Sequence, residues 1–332
     1  MLKNFEQTAA LLEEKNEKKV FHIAGAGKLL RKLPRGHWIG GSTEYFMAES
    51  GGIVSADVLD VTEFAVADRR IASYGVEELP SIAADSYSDG FSLVIIPAFS
   101  EAHRRYAHSA AKYEGLFLKT IAGWVSGFRL ERPEEKGIAV NGETGDTWDD
   151  RAVALHIRLP EGLRAELNII NIFSPDANSP AITFEEDAFT VKKCRIDGKE
   201  ADFVKYLAEN RLDTTLPLVG DYMGNGIAIS LDRVMDDGMR LYAPVFRGIE
   251  YRFAKPVPDY AAAFRAKLAE LGGTDPLFAC NCIFNFLHGD LEGKKLGGGY
   301  GPVSFGEIAW QLMNQALMYL RLERVDSDGE RA

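Results

Sequence analysis

Cysteine is scarce in this chain: Cys194, Cys280 and Cys282 are the only three in 332 residues. An odd number without framework spacing excludes a disulfide-stapled scaffold and fits a reducing compartment. Long apolar runs are missing too. No segment reaches the roughly 20 uninterrupted apolar residues of a membrane span, and no apolar signal-peptide core follows the first lysines. The expected location is the cytoplasm, with no membrane partner. Positive charge falls short of negative, with 38 Lys and Arg against 49 Asp and Glu and a formal net charge of −11. Binding a nucleic-acid backbone needs a concentrated basic surface, so no nucleic-acid partner is expected either. Basic clusters such as Lys28 to Arg35 are short, sit among apolar residues and read as a solvated helix face.

What is present is material for a core, with 46% hydrophobic residues beside 26% charged ones, in a length that suits one large or two ordinary domains. Residues 2–19 carry Leu2, Phe5, Ala9 and Leu12 at three- and four-residue spacing and predict an amphipathic helix. Val20 to Ala24 predicts a short strand, and Gly25-Ala26-Gly27 turns the chain into Lys28–Leu33. Leu30 stands where a dinucleotide fingerprint needs its third glycine, which leaves that motif incomplete. Ile53 to Val66 has period-two apolar spacing and predicts one strand; Phe91 to Pro97 predicts a buried strand stopped by proline. Ser100 is placed to cap a helix with Ala102, Tyr106, Ala110 and Tyr113 on one stripe. His103 and His108 point some 140° apart on it and cannot share a metal.

Gly137–Asn141 and Arg151–Pro160 read as antiparallel partners with His156 on the more polar face, and Arg164–Ile172 continues the meander. Phe173 to Pro180 is the best internal boundary. Beyond it, Thr190–Ile196 turns at Asp197-Gly198, Glu200–Glu209 reads as helix, and Ile227–Leu231 and Leu241–Phe253 read as strands. A helix then starts at Asp259, with Tyr260, Phe264, Leu268 and Leu271 on one face, and ends at Gly272-Gly273.

The richest stretch runs from Asp275 to Leu322. An apolar run, Leu277–Phe284, holds Cys280 and Cys282, followed by Gly297-Gly298-Gly299-Tyr300-Gly301-Pro302 and Phe305-Gly306-Glu307-Ile308. With Asn314, these elements resemble the C-terminal half of the FIST family of sensory domains, in which a small-residue strand with a Cys precedes a Gly-Glu-Ile box and an Asn. Upstream, His37-Trp38-Ile39-Gly40-Gly41-Ser42-Thr43-Glu44 is similar to the "IGCSTAGE" box of that family's N-terminal half, and Ile182 to Leu207 to its strand, D-G and helix segment. The resemblance covers Gly36 to Leu322. It departs at Gly41, which stands for the usual Cys, and at Glu44-Tyr45, which replaces Ala-Gly.

The resemblance implies a cytoplasmic bacterial sensing domain, not an enzyme, that binds a small ligand and signals to a separate protein such as a histidine kinase or a cyclic-nucleotide enzyme. It also implies a strand at Ala316–Leu322, whereas the spacing of Ile308, Leu312, Ala316 and Tyr319 fits a helix; periodicity leaves the two open. The expected fold is α/β (α+β), with mixed, largely antiparallel sheets flanked by helices. Two sequential halves, 1–175 and 176–325, form one compact unit, followed by a disordered tail at 326–332.

Gly40, Gly41, Ser42 and Thr43 offer free amides and hydroxyls to a carboxylate, against the alternative of ordinary turn capping. Glu307, in the Gly306 box, is either an acceptor for turn amides or the partner of a ligand ammonium. Together with Cys280, Tyr300 and Asn314 these residues would make a pocket for an amino acid or similar carboxylate in a cleft between halves. Cys280 or Cys282 with His288 as base gives a hydrolase alternative, against burial of both thiols, and a purely structural partner protein is the other. No metal and no cofactor is expected. Haem is the alternative, because some proteins that look like FIST domains bind it in response to nitric oxide, with His22, His37, His103, His108, His156 and His288 all eligible as ligands.

Overall fold

A computed structural model describes residues 1–14, 16–222, 225–270 and 276–324. The expected helix stop at Gly272-Gly273, Leu271 and Asp275, and the tail 326–332, lie outside the described residues. The architecture is α+β, with short helices beside mixed, mostly antiparallel sheets. Three six-stranded sheets share one core. The first runs Leu2–Lys3, Leu59–Ala65, Lys19–Gly25, Trp38–Ser42, Ala139–Asn141, Asp146–Trp148; the second runs Gln311–Met313, Glu307–Ala309, Ile121–Ser126, Gly90–Pro97, Ala152–Arg158, Asp68–Tyr74. The third runs Leu163–Asn171, Ala316–Arg324, Phe278–Cys282, Gly301–Ser304, Tyr45–Ala48, Gly51–Val54. Ile39 and Phe64 from the first sheet, Leu93, Ile95, Trp124 and Leu155 from the second, and Phe46, Cys280 and Met318 from the third bury one another. Trp124 Nε1 donates to His22 Nε2 at 2.8 Å and so ties the second sheet to the first.

Each of these sheets holds one parallel pair: Lys19–Gly25 with Trp38–Ser42, Gly90–Pro97 with Ile121–Ser126, and Phe278–Cys282 with Gly301–Ser304. A parallel return needs a crossover, and the helices Gly27–Leu30, Glu101–Ser109 and Ile283–His288 lie in those crossovers. Gly90–Pro97 is flanked on both edges and covered on both faces, which explains its unbroken apolar run. Residues Ile182–Phe253 build a fourth six-stranded sheet and a three-stranded one around Phe184, Phe203 and Tyr251. Strands from both sides of the Phe173–Pro180 boundary share the second and third sheets.

Several expected elements take a different form. The first helix is confined to Phe5–Glu13 because Asn4 and Gln7 form a capping box, and Leu2–Lys3 is a strand on Leu59–Asp60 instead. Ile53–Val66 is two strands, Gly51–Val54 and Leu59–Ala65, in different sheets. Ala139–Asn141 pairs with Asp146–Trp148 and Trp38–Ser42, whereas Ala152–Arg158 pairs with Asp68–Tyr74 and Gly90–Ile95, so the expected partnership between 137–141 and 151–160 does not form. Leu163–Asn171 likewise leaves that meander and pairs with Ala316–Arg324. The ambiguous run at 308–322 is strand. Trp310 and Gln315 adopt positive φ, 59° and 52°, and these two kinks fold a helix-like apolar pattern into a hairpin and a strand. His156 lies on no polar surface; it is buried, with Ser92 Oγ at 2.8 Å from Nδ1 and Tyr74 Oη at 2.8 Å from Nε2.

Candidate functional site

The parallel pair of the first sheet sets up a cavity. Lys19–Gly25 runs into the turn at Ala26–Arg31 just where its partner ends at Ser42, so the segments 26–31 and 42–44 leave the sheet side by side; Thr43 N donates to Gly25 O at 3.0 Å. Clefts beyond the carboxyl ends of parallel strands are the usual ligand position of such sheets. The segment 127–138, between Ile121–Ser126 and Ala139–Asn141, forms another wall. Ser42 Oγ clasps both ends of that segment, donating to Gly127 O at 2.7 Å and accepting from Ile138 N at 2.9 Å. Thr43 Oγ1 donates to Val303 O at 2.9 Å and accepts from Tyr45 N at 3.2 Å. Both hydroxyls thus do the capping work.

The cavity volume is about 550 Å³, and its lining is strongly charged. Glu44 is almost wholly buried. Its Oε1 accepts from Arg132 Nη2, while Oε2 is buried without a hydrogen-bond partner among the described residues, with Arg129 Nη1 at 3.6 Å. Arg132 Nη1 also donates to Glu135 Oε1 at 2.7 Å, and Lys136 Nζ to Asp149 Oδ2 at 2.6 Å. Lys136, and to a lesser extent Arg31, hold the Asp149 carboxyl below its usual range. Lys28 is 3.8 Å from the exposed Asp57, and among the described residues Arg31 forms no ion pair. Among the described residues, a buried carboxylate oxygen without a hydrogen bond shares this wall with a guanidinium outside any ion pair, an arrangement that suits a ligand bearing both charges.

Glu307 is elsewhere. It lies on a strand paired with Trp124 and Met313, has no exposed surface, and does not line this cavity. Ser304 Oγ bonds its Oε1, and Ala316 N donates to its Oε2 at 3.2 Å. Burial pushes its carboxyl up to about 8, so the neutral acid predominates at pH 7. Burial also pushes the Cys280 and Cys282 thiols well up, with the neighbouring Glu307 adding to it. Protonated, enclosed thiols are poor nucleophiles. Asn314 joins the same interior, with neither amide atom hydrogen-bonded among the described residues.

A comparison with family models matches residues 4–323 to DUF6976, a family of unknown function. The chain belongs to the DUF6976 family. No curated protein matches it.

In this DUF6976 chain the residues expected to share one pocket are divided. Ser42 and Thr43 reach the cavity wall; Cys280, Glu307 and Asn314 are interior; Tyr300 lies at the surface, 39% exposed. Gly40 and Gly41 allow close packing: a Cβ on Gly41 would meet Ile95 and Trp124 at 2.7 Å. Gly306 packs near Leu312 and Val125. Among the histidines, burial lowers His22 to about 3 and His103 and His156 to about 4, and also lowers His288, which stacks on Phe284. His37 bridges Glu143 at 2.9 Å and Glu17 at 3.2 Å. Sequence reasoning did not single out Glu44, Arg31 or Arg132. The signal was there in Glu44, an acid directly after Ser-Thr, and in the charge-dense run Arg129–Lys136.

Proposed function

We propose that this DUF6976 chain is a small-ligand sensing domain that takes up an amino acid or similar carboxylate in the cavity between segments 26–31, 42–44 and 127–138. The single observation that carries the reading is the buried Oε2 of Glu44, which accepts no hydrogen bond among the described residues, in a wall shared with Arg31. Glu44 receives the ligand ammonium, and Lys28 with Arg31 receive its carboxylate. This transfers the ammonium-partner role from Glu307, whose neutral, enclosed carboxyl cannot fill it. The resemblance of Gly36 to Leu322 to FIST-type sensory domains supports sensing in the cytoplasm, with a histidine kinase or cyclic-nucleotide enzyme as the kind of protein that receives the signal.

A coupling route follows from the same contacts. Arg132 joins Glu44 to the segment 127–138, and an ammonium at Glu44 competes for that carboxylate. Ligand binding therefore changes what holds the segment, which is the differential interaction a sensor needs. Isothermal titration of the proteinogenic amino acids tests the reading. Glu44→Gln is expected to weaken amine-bearing ligands by at least about tenfold, the scale of one charge-assisted hydrogen bond. Equal affinity in wild type and variant overturns it.

A further inference from the structure

We infer that the cavity carries an aromatic subsite, and that its ligand is an α-amino acid with an aromatic side chain. The inference rests on the amino-acid reading above and names the class of ligand. Phe128 lines the cavity and is only partly buried. Its ring packs against Phe305, with centroids 5.3 Å apart, and against Phe99 at 6.2 Å; Phe99 and Phe305 meet edge to face at 6.4 Å. Gly127 makes this seating possible, because a Cβ there would meet the Phe305 ring at 2.1 Å. The ring is therefore fixed before any ligand arrives, which limits the entropy lost on binding.

Phe99 supplies a second, independent sign. It sits at φ 60°, a left-handed conformation unusual for an aromatic residue, and 46% of it is exposed. The turn is held by its own N–H donating to His103 Nδ1 at 3.1 Å and its carbonyl accepting from Arg104 Nη1 at 2.9 Å. A strained turn thus keeps a large apolar ring in water against the ring that lines the cavity. Backbone strain of this kind persists where the surroundings impose it, and it concentrates at ligand sites.

The charged lining points the same way by elimination. Arg132 is committed to Glu44 and Glu135, and Lys136 to Asp149. Once the ligand's ammonium and carboxylate engage Glu44 and the Lys28–Arg31 pair, an acidic or basic side chain finds only groups already paired. A flat apolar side chain finds Phe128 and Ile138. A volume near 550 Å³ also exceeds what a small amino acid fills.

Titration calorimetry on the full chain with phenylalanine, tyrosine and tryptophan, beside alanine, glutamate and lysine, tests this. The aromatic set is expected to bind at least about tenfold tighter than alanine, and Phe128→Ala to remove that advantage while leaving alanine within about twofold. Phe128→Leu, which keeps apolar bulk without the ring, is expected to lose part of it and guards against misfolding of the alanine variant. Comparable affinity for aromatic and small amino acids, or an aromatic preference that survives both substitutions, overturns the subsite and leaves the amino-acid reading standing. No binding of any amino acid overturns both.

Discussion

Glu307 shows how position decides the charge of a single residue. Its raised pKa, about 8, means that the folded chain holds a proton that the unfolded chain releases above about pH 4.5. The stability it contributes is therefore present at low pH and declines as pH rises from about 4.5 towards 8. Buried His22, His103 and His156 act with the opposite sign, because their depressed pKa values lose stability as pH falls below about 6.5. The two effects overlap, so the comparison must be made against Glu307→Gln, which removes only the first. Urea unfolding at pH 5 and pH 8.5 is expected to show wild type losing a few kcal/mol more than the variant on the order of the linkage effect; parallel losses would refute the buried neutral acid. For Cys280 and Cys282, iodoacetamide at neutral pH is expected to leave both unmodified until the chain is denatured. Rapid native labelling would revive a nucleophilic role.

At the level of elements, local chemistry was most legible where a turn or cap has few solutions. Asp197-Gly198 forms the expected tight turn, with φ 47° and 79°, but it joins two strands, Lys193–Ile196 and Lys199–Asp202, so the helix expected over 200–209 is confined to Phe203–Glu209. A Cβ on Gly198 would meet nothing within 4 Å. Gly198→Ala is thus expected to destabilise the chain by about 1–2 kcal/mol through backbone strain alone, measured as a shift in the urea midpoint; an unchanged midpoint would mean the turn rearranges freely. Ser100 and Asp259 cap their helices as read, accepting from His103 N and Ala262 N. Strand partnership was less legible. Ala139–Asn141 and Ala152–Arg158 are neighbours in sequence but belong to different sheets, a choice made by tertiary packing that alternation cannot encode. The kinks at Trp310 and Gln315 are invisible to periodicity for the same reason, since the Trp310 turn is fixed by distant partners: its Nε1 donates to Lys119 O and its carbonyl accepts from Tyr106 Oη.

Over the whole molecule, the α+β class follows from the chain's short alternating strands and capped helices, and the second and third sheets around the central core mix early and late strands. Ser42 and Thr43 were readable as part of a special turn, and they do reach the cavity, but their hydroxyls bind main chain. The charged groups that line the cavity come from segments around residues 28, 44 and 132, which are distant in sequence and meet through the parallel pairing of Lys19–Gly25 with Trp38–Ser42 and the span 127–138. Among the described residues no helix is long and apolar enough to cross a membrane. The most direct measurement of the central claim is a thermal-shift panel of amino acids and simple carboxylates on wild type, Glu44→Gln and Arg31→Ala. At a hundred times its dissociation constant a ligand adds about 2.7 kcal/mol, a rise of a few degrees. The expected result is such a rise with at least one α-amino acid, lost in both variants. A wild-type chain that no amino acid shifts, or a shift that both variants retain, would contradict the assignment of this cavity.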